Sequence, residues 1–279
     1  GQNFTVTGHS LGGYLAAAVK QSYSQVTDAY LYNAPGVNGL LGNLVDALSS
    51  ALGLSSASTD NIWNIRGSEG FPAIAGLGYQ LGTAISIQTE ASGNNHSISV
   101  LTDALAIQAL YSQLAPNLNQ DQLNKLIDAF GSTKDVVGAS NSKTLESALD
   151  ALRTILQNPA GGKIVLDGGK ETAAGDRDAF YTNLKNLQST ANLTSLANTT
   201  QLTLLTDKSA SNIVTMAAND GAQGLATRFA LVALNPFVLE GVDYSAFNAG
   251  GALERFDPSA GGSGLTSKYL ADRITMLKR

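Results

Sequence analysis

A serine framed by glycines directly after a strand pattern constrains this chain more than any other feature. Residues 8–13 read Gly-His-Ser-Leu-Gly-Gly, so Gly8, Ser10 and Gly12 form G-x-S-x-G. The β-branched and aromatic run Phe4-Thr5-Val6-Thr7 precedes it, and an alanine-rich stretch over residues 14–20 follows. That order predicts strand, sharp turn, helix. A serine at such a turn sits in a strained conformation that lifts Oγ above the sheet edge. Glycines two residues to either side are expected, because a side chain there would collide with neighbouring backbone. The motif alone is weak, since a glycine-rich turn packing a helix closely on a strand has the same letters. The flanking strand, the small-residue helix and Gly13 favour a nucleophile elbow.

A serine hydroxyl is a poor nucleophile until a base can take its proton. The chain has two histidines. His9 lies inside the elbow, where its side chain is expected to point away from Ser10, which leaves His96 as the candidate base. His96 falls in Ser92-Gly93-Asn94-Asn95-His96-Ser97, a polar loop between an alternating run over residues 84–89 and a helical pattern at Ile98, Leu101 and Leu105. The alternative role for a histidine there is to cap a helix or to stand solvated.

On folds built around such an elbow the triad runs Ser, then Asp or Glu, then His, with the acid at the end of a strand. Residues 61–66 (Asn-Ile-Trp-Asn-Ile-Arg) read as a strand, and Gly67-Ser68-Glu69-Gly70 as its turn. Glu69 is therefore the first choice for the acid. Asp60 lies at the wrong end of that strand, Glu90 follows the next one, and Asp28 opens a strand over residues 29–32. A lone glutamate in a glycine turn can also simply be solvated.

These residues carry a resemblance. GHSLGG, followed by a strand ending in Asn33-Ala34-Pro35-Gly36, resembles the class 3 lipase branch of the α/β-hydrolases, and NNHSISVLTDALAIQAL resembles the histidine loop and helix of lipase-like modules in large secreted bacterial proteins. The similarity covers roughly residues 1–115. It implies esterase or lipase chemistry on lipid or small ester substrates, without metal or organic cofactor. Carried over residue by residue, it implies Ser10 as nucleophile, His96 as base, the Leu11 backbone N–H as one oxyanion donor, and Glu69 where the family more often has aspartate. The tracts LNPFVLEGVDYSAFN and SKYLADRITML are similar to segments that accompany such modules.

In an α/β-hydrolase several strands precede the nucleophile strand, and a loop after one of them supplies the second oxyanion N–H. Seven residues precede Gly8 here, so the chain is expected to be a piece of a longer protein, cut just upstream of its elbow. Loss of one oxyanion donor costs on the order of 10² to 10³ in rate, so activity is expected to be impaired.

Length and composition fit one large or two modest domains: 279 residues, 43% of them hydrophobic, suffice for a sizeable core. Zero cysteines remove disulfides and thiolate chemistry. A net charge of −5 with few Lys and Arg argues against nucleic acid, whose binding needs a clustered basic face, and fits a secreted bacterial protein. No apolar run reaches membrane-spanning length.

The alternation of strand and helix predicts an α/β fold, a partial α/β-hydrolase with parallel strands and crossover helices, over residues 1–116. Helical patterns at Leu123 to Phe130, Leu145 to Leu156, and over residues 178–187, 223–234 and 267–277 predict a mostly helical second domain over 117–279, with a short strand at 163–166. Leu40, Leu41, Leu44, Val45, Leu48 and Leu52 form an apolar helical stripe, more in keeping with a crossover helix than with a lid opening at a lipid surface. Asp167-Gly168-Gly169, Asp257 and Asp272 lack calcium-repeat or EF-hand spacing and read as turn and helix-end residues.

A serine ester hydrolase of lipase type leads. A non-catalytic structural or adhesive segment that retains the hydrolase fold comes second. A peptidase, thioesterase or acyltransferase using the same triad is third, because fold and triad do not fix the acceptor.

Overall fold

The computed structural model describes residues 2–35, 59–68, 82–90, 96–136, 144–157, 171–190, 193–259 and 264–278. The chain divides into two compact units, 1–105 and 106–279.

The first unit holds a four-stranded parallel sheet. Its strands are β1 (Phe4–His9), β2 (Val26–Tyr32), β3 (Ile62–Gly67) and β4 (Thr83–Ile87), lying in chain order β1-β2-β3-β4. Parallel neighbours need a crossover, and helix α1 (Leu11–Ser22) supplies the one from β1 to β2. The other crossovers, with the Leu40-to-Leu52 stripe, lie outside the described residues. In register, β1 runs beside β2 from Phe4 opposite Val26 to His9 opposite Tyr32, so all strands finish at the same end of the sheet. Residues that follow strands therefore gather there. Among the described residues β1 has a strand on one side only.

Small side chains explain how α1 seats. Ala16 and Ala17 pack with Ala29, Leu31, Ala34, Ile62 and Val6, so the helix backbone comes close to the strands. Its other stripe leaves Leu11, Leu15 and Val19 exposed at 4-residue spacing. Tyr23 ends the helix in extended backbone while its N–H still bonds the Val19 carbonyl.

Helix α2 (Ile98–Leu114) follows the sheet, and the second unit continues with α3 (Gln120–Val136), α4 (Thr144–Gln157), α5 (Arg177–Thr190), α6 (Leu193–Leu196), α7 (Ala210–Ala218), α8 (Ala222–Ala233) and α9 (Ser267–Leu277). It is mostly helical, with one addition the periodicity does not announce. Strands β5 (Gln201–Leu204) and β6 (Phe237–Glu240) pair antiparallel, Leu202 opposite Leu239. The Phe237 ring lies edge-on to Tyr111 at 5.6 Å and to Phe130 at 6.3 Å. Strand β6 belongs to the core because every residue from Phe237 to Leu239 is buried.

Two polar constructions hold this unit. On α4, buried Glu146 pairs with Arg177 and accepts from Gly175 N, while Asp150 pairs with Arg153 and accepts from Thr172 N and Oγ1. Arg228 on α8 is buried, with Nε donating to Leu253 O at 2.5 Å and Nη1 donating to Ala217 O and Asn219 O at 2.7 and 2.8 Å. No helix among the described residues is long and apolar enough to cross a membrane.

Candidate active site

Ser10 stands between the last residue of β1 and the first of α1, with φ 56° and ψ −130°. This is a sparsely populated conformation for a non-glycine residue and stores roughly 1–3 kcal/mol. Two contacts hold it. Ser10 N donates to Tyr32 O at 2.9 Å, and Ser10 O accepts from Gly13 N at 3.0 Å. The turn closes tightly enough that a β-carbon on Gly8 would meet the Gly12 carbonyl, and one on Gly13 would come within 2.8 Å of Gly8 O and of Ala34 Cβ. Among the described residues nothing lies within 4 Å of a β-carbon on Gly12. Of the two flanking glycines expected to be sterically required, Gly8 is forced by its described neighbours, as is Gly13, whereas among the described residues nothing forces Gly12, which lies in the first turn of α1.

His96 lies between β4 and α2, two residues before the helix begins, on the side of the sheet where strands end. Its Nε2 is 2.9 Å from Ser10 Oγ. Partial burial, followed by the charge of nearby His9, holds its pKa below the ordinary histidine value. The ring is therefore neutral at neutral pH, the form a general base needs. For Nε2 to accept from the serine hydroxyl, the proton of a neutral imidazole must sit on Nδ1. His96 Nδ1 is buried and has no hydrogen-bond partner among the described residues. A buried N–H in that state calls for an acceptor, the place a triad acid takes.

The candidate acids separate by position. Glu69 lies outside the described residues. Its predecessor, Ser68, continues the line of β3, donating N–H to Ile87 O at 2.9 Å and Oγ to Gln88 Oε1 at 2.8 Å. Asp60 precedes β3 and so belongs to the opposite end of the sheet from Ser10. Asp28 lies inside β2 opposite Thr5 rather than opening that strand, because β2 begins at Val26, where Phe4 N bonds Gln25 O. Glu90 follows β4 by three residues.

Leu11 is the first residue of α1, so the helix itself offers its N–H no acceptor; the carbonyl of Ser10 is taken by Gly13 and Tyr14. This N–H is the backbone donor next to the serine. Elsewhere, Asp257 accepts from Ser259 N and Oγ in a turn, and Asp272 pairs with Lys268 one helical turn away.

Two residues of the site carry no role in the sequence reading. His9 does not simply point away: its Nε2 is 2.8 Å from the backbone carbonyl oxygen of His96. Asn33, directly after β2, is 1% exposed with φ 47°, donates Nδ2 to the same carbonyl at 3.4 Å, and accepts from Gly67 N at 3.0 Å. The available signal for Asn33 was its type, since asparagine tolerates positive φ at a strand end better than most residues.

No family model matches this chain, and no curated protein or solved structure does.

Proposed function

We propose that the chain is a serine ester hydrolase of lipase or esterase type, its first unit carrying the serine and histidine of an α/β-hydrolase core. The observation that carries this reading is the 2.9 Å approach of His96 Nε2 to Ser10 Oγ, with Ser10 at φ 56° between strand and helix. The order of parts agrees: serine after β1, Glu69 next in sequence after β3 and Ser68, histidine after β4, on a parallel sheet in chain order.

In this reading His96 Nε2 takes the Ser10 proton as Oγ attacks the ester carbonyl carbon. The oxyanion receives the Leu11 N–H, and Glu69 faces the imidazolium through Nδ1. As the carbonyl re-forms, the alcohol leaves with the proton from His96. Water, deprotonated by the same ring, attacks the acyl carbon, and His96 returns that proton to Ser10 Oγ as the acid is released. Exposed Leu11, Leu15 and Val19, running along α1 from the serine, suit an apolar ester or a lipid surface. The setting we infer is an exported bacterial protein, with no cofactor.

A fluorophosphonate probe tests this, because it captures a serine only where Oγ is activated. Labelling at Ser10, lost in Ser10→Ala and His96→Ala, is the expected result. A folded chain that stays unlabelled over hours at millimolar probe favours the second reading, a structural segment that keeps the fold; the unpartnered His96 Nδ1 among the described residues is the observation on its side.

A further inference from the structure

We propose that His9 and Asn33 are positioning residues for the base, clamping the backbone carbonyl of His96 from two strand ends and thereby setting its imidazole over Ser10. This rests on the hydrolase reading of the site. His9 is the last residue of β1 and Asn33 the first after β2, and these two positions flank Ser10 and Tyr32 in the sheet register. Both side chains reach one atom, the carbonyl oxygen of His96, which has two lone pairs and can accept both bonds. Asn33 is itself fixed: its N–H bonds Ile65 O at 2.9 Å, and its Oδ1 accepts from Gly67 N. The clamp thus ties the end of β3 to the histidine through a single buried amide.

The chemistry also fixes which nitrogen of His9 must carry a proton. A carbonyl oxygen can only accept, so His9 Nε2 carries a proton whether the ring is neutral or charged. The rings of His9 and His96 lie 5.0 Å apart, tilted by 41°. Charge on His9, when it is present, opposes protonation of His96, the second cause of that ring's lowered basicity. Among the described residues the groups at this end of the sheet are His9 on β1, the uncharged amide of Asn33 after β2, and Glu90 on the segment following β4. An asparagine or glutamine in place of His9 could donate the bond but not supply this charge.

The experiment is the rate of fluorophosphonate inactivation of the whole chain as a function of pH, paired with thermal melting. His9→Leu removes the donor, and a base displaced by about 1 Å loses up to ~10²-fold, so inactivation is expected to slow 10- to 100-fold at an unchanged melting temperature. His9→Gln places an N–H near the position of Nε2 without charge. It should come within about 3-fold of wild type at neutral pH, with its acidic limb moved to higher pH. A merely structural role would not move that limb. Should Leu and Gln both label at the wild-type rate with the wild-type pH profile, the clamp is wrong and the hydrolase reading stands. If the wild type does not label at all, the reading of the site fails, and 15N spectra of its histidines decide the clamp: Nε2 of His9 protonated supports it, a proton found on Nδ1 alone overturns it.

Discussion

Ser10 and Asn33 end neighbouring strands in the same way: each takes positive φ, 56° and 47°, and each still donates its N–H to the next strand, to Tyr32 O and Ile65 O, both at 2.9 Å. The ladder thus runs one residue past each strand while the side chains swing out at its end. For serine the conformation is costly, and glycine would adopt it freely. We expect Ser10→Gly to raise stability by about 1 kcal/mol, strain relief offsetting the extra chain entropy of glycine, while abolishing probe labelling. Thermal denaturation of the two proteins measures it. A Ser10→Gly chain less stable than wild type would mean that the turn is not strained.

The three glycines of the elbow should separate in one mutational series. A methyl group on Gly8 drives into the Gly12 carbonyl, and backbone cannot rotate aside as a side chain can. Gly8→Ala should cost about 3 kcal/mol, and Gly13→Ala, tight against Gly8 O and Ala34 at 2.8 Å, about 1–3 kcal/mol. Gly12→Ala meets no neighbour among the described residues, in the first turn of α1, and should stabilise by up to about 1 kcal/mol. Urea unfolding midpoints give the order.

What the sequence made legible here was local. The elbow, the helices Ile98–Leu114 and Ser267–Leu277, and the pairing of Ser10 with His96 follow from motifs and periodicities carried within a few residues, joined by a known order of parts. The helix Ser267–Leu277 even announces its start, since Thr266 Oγ1 caps Tyr269 N at 3.1 Å. What stayed hidden depends on distant partners. β5 and β6 are four residues each, too short for alternation to stand out, and exist because Leu202 and Leu239 meet across 37 residues of chain. Helix Ala210–Ala218 is likewise unmarked, because at nine residues it is too short for a helical period to stand out. The His9 contact needed the position of a loop 87 residues away, which no local pattern encodes.

The pH dependence follows from the direction of the His96 shift. Its pKa lies below the ordinary value of about 6.5, through burial first and His9 second. Only the neutral ring can accept the Ser10 proton, so reactivity is full above the folded value and falls as pH drops through it. The acidic limb should therefore lie below pH ~6.5. Between the folded and unfolded values the unfolded chain binds more protons, so the stabilising contribution is complete above pH ~6.5 and is lost as pH falls through that window. Inactivation rates and melting temperatures from about pH 4.5 to 8 read both limbs. A limb centred above 6.5 would contradict the assignment.

In the second unit, stability should hinge on Arg228. Its guanidinium satisfies three carbonyls at once, those of Ala217, Asn219 and Leu253, joining the end of α7 to the turn at Leu253, beyond β6 in sequence. Methionine fills much of the volume but leaves the buried carbonyls of Ala217 and Leu253 and the half-buried one of Asn219 bare, and lysine cannot reproduce the planar fork. Both Arg228→Met and Arg228→Lys should lower stability by about 3 kcal/mol, measured by urea unfolding. A loss under 1 kcal/mol in both would show that water reaches those carbonyls.

The triad acid is the remaining test, and topology makes it a comparison rather than a single mutant. In a parallel sheet the residues after each strand share an end, so Ser68 after β3 and Glu90 after β4 lie on the side of Ser10 and His96, and Asp60 before β3 does not; Glu69 follows Ser68 in sequence, outside the described residues. A carboxylate accepting from His96 Nδ1 would fix the tautomer that leaves Nε2 free to take the serine proton. Replacing it by an amide keeps the shape and removes the charge that steadies the imidazolium. Glu69→Gln should therefore slow fluorophosphonate inactivation by ~10²-fold or more with little change in melting temperature, while Asp60→Asn leaves the rate within about 2-fold. If Glu90→Gln shows the large loss and Glu69→Gln does not, the acid belongs to the segment after β4, and the Ser10 and His96 pair keeps its roles.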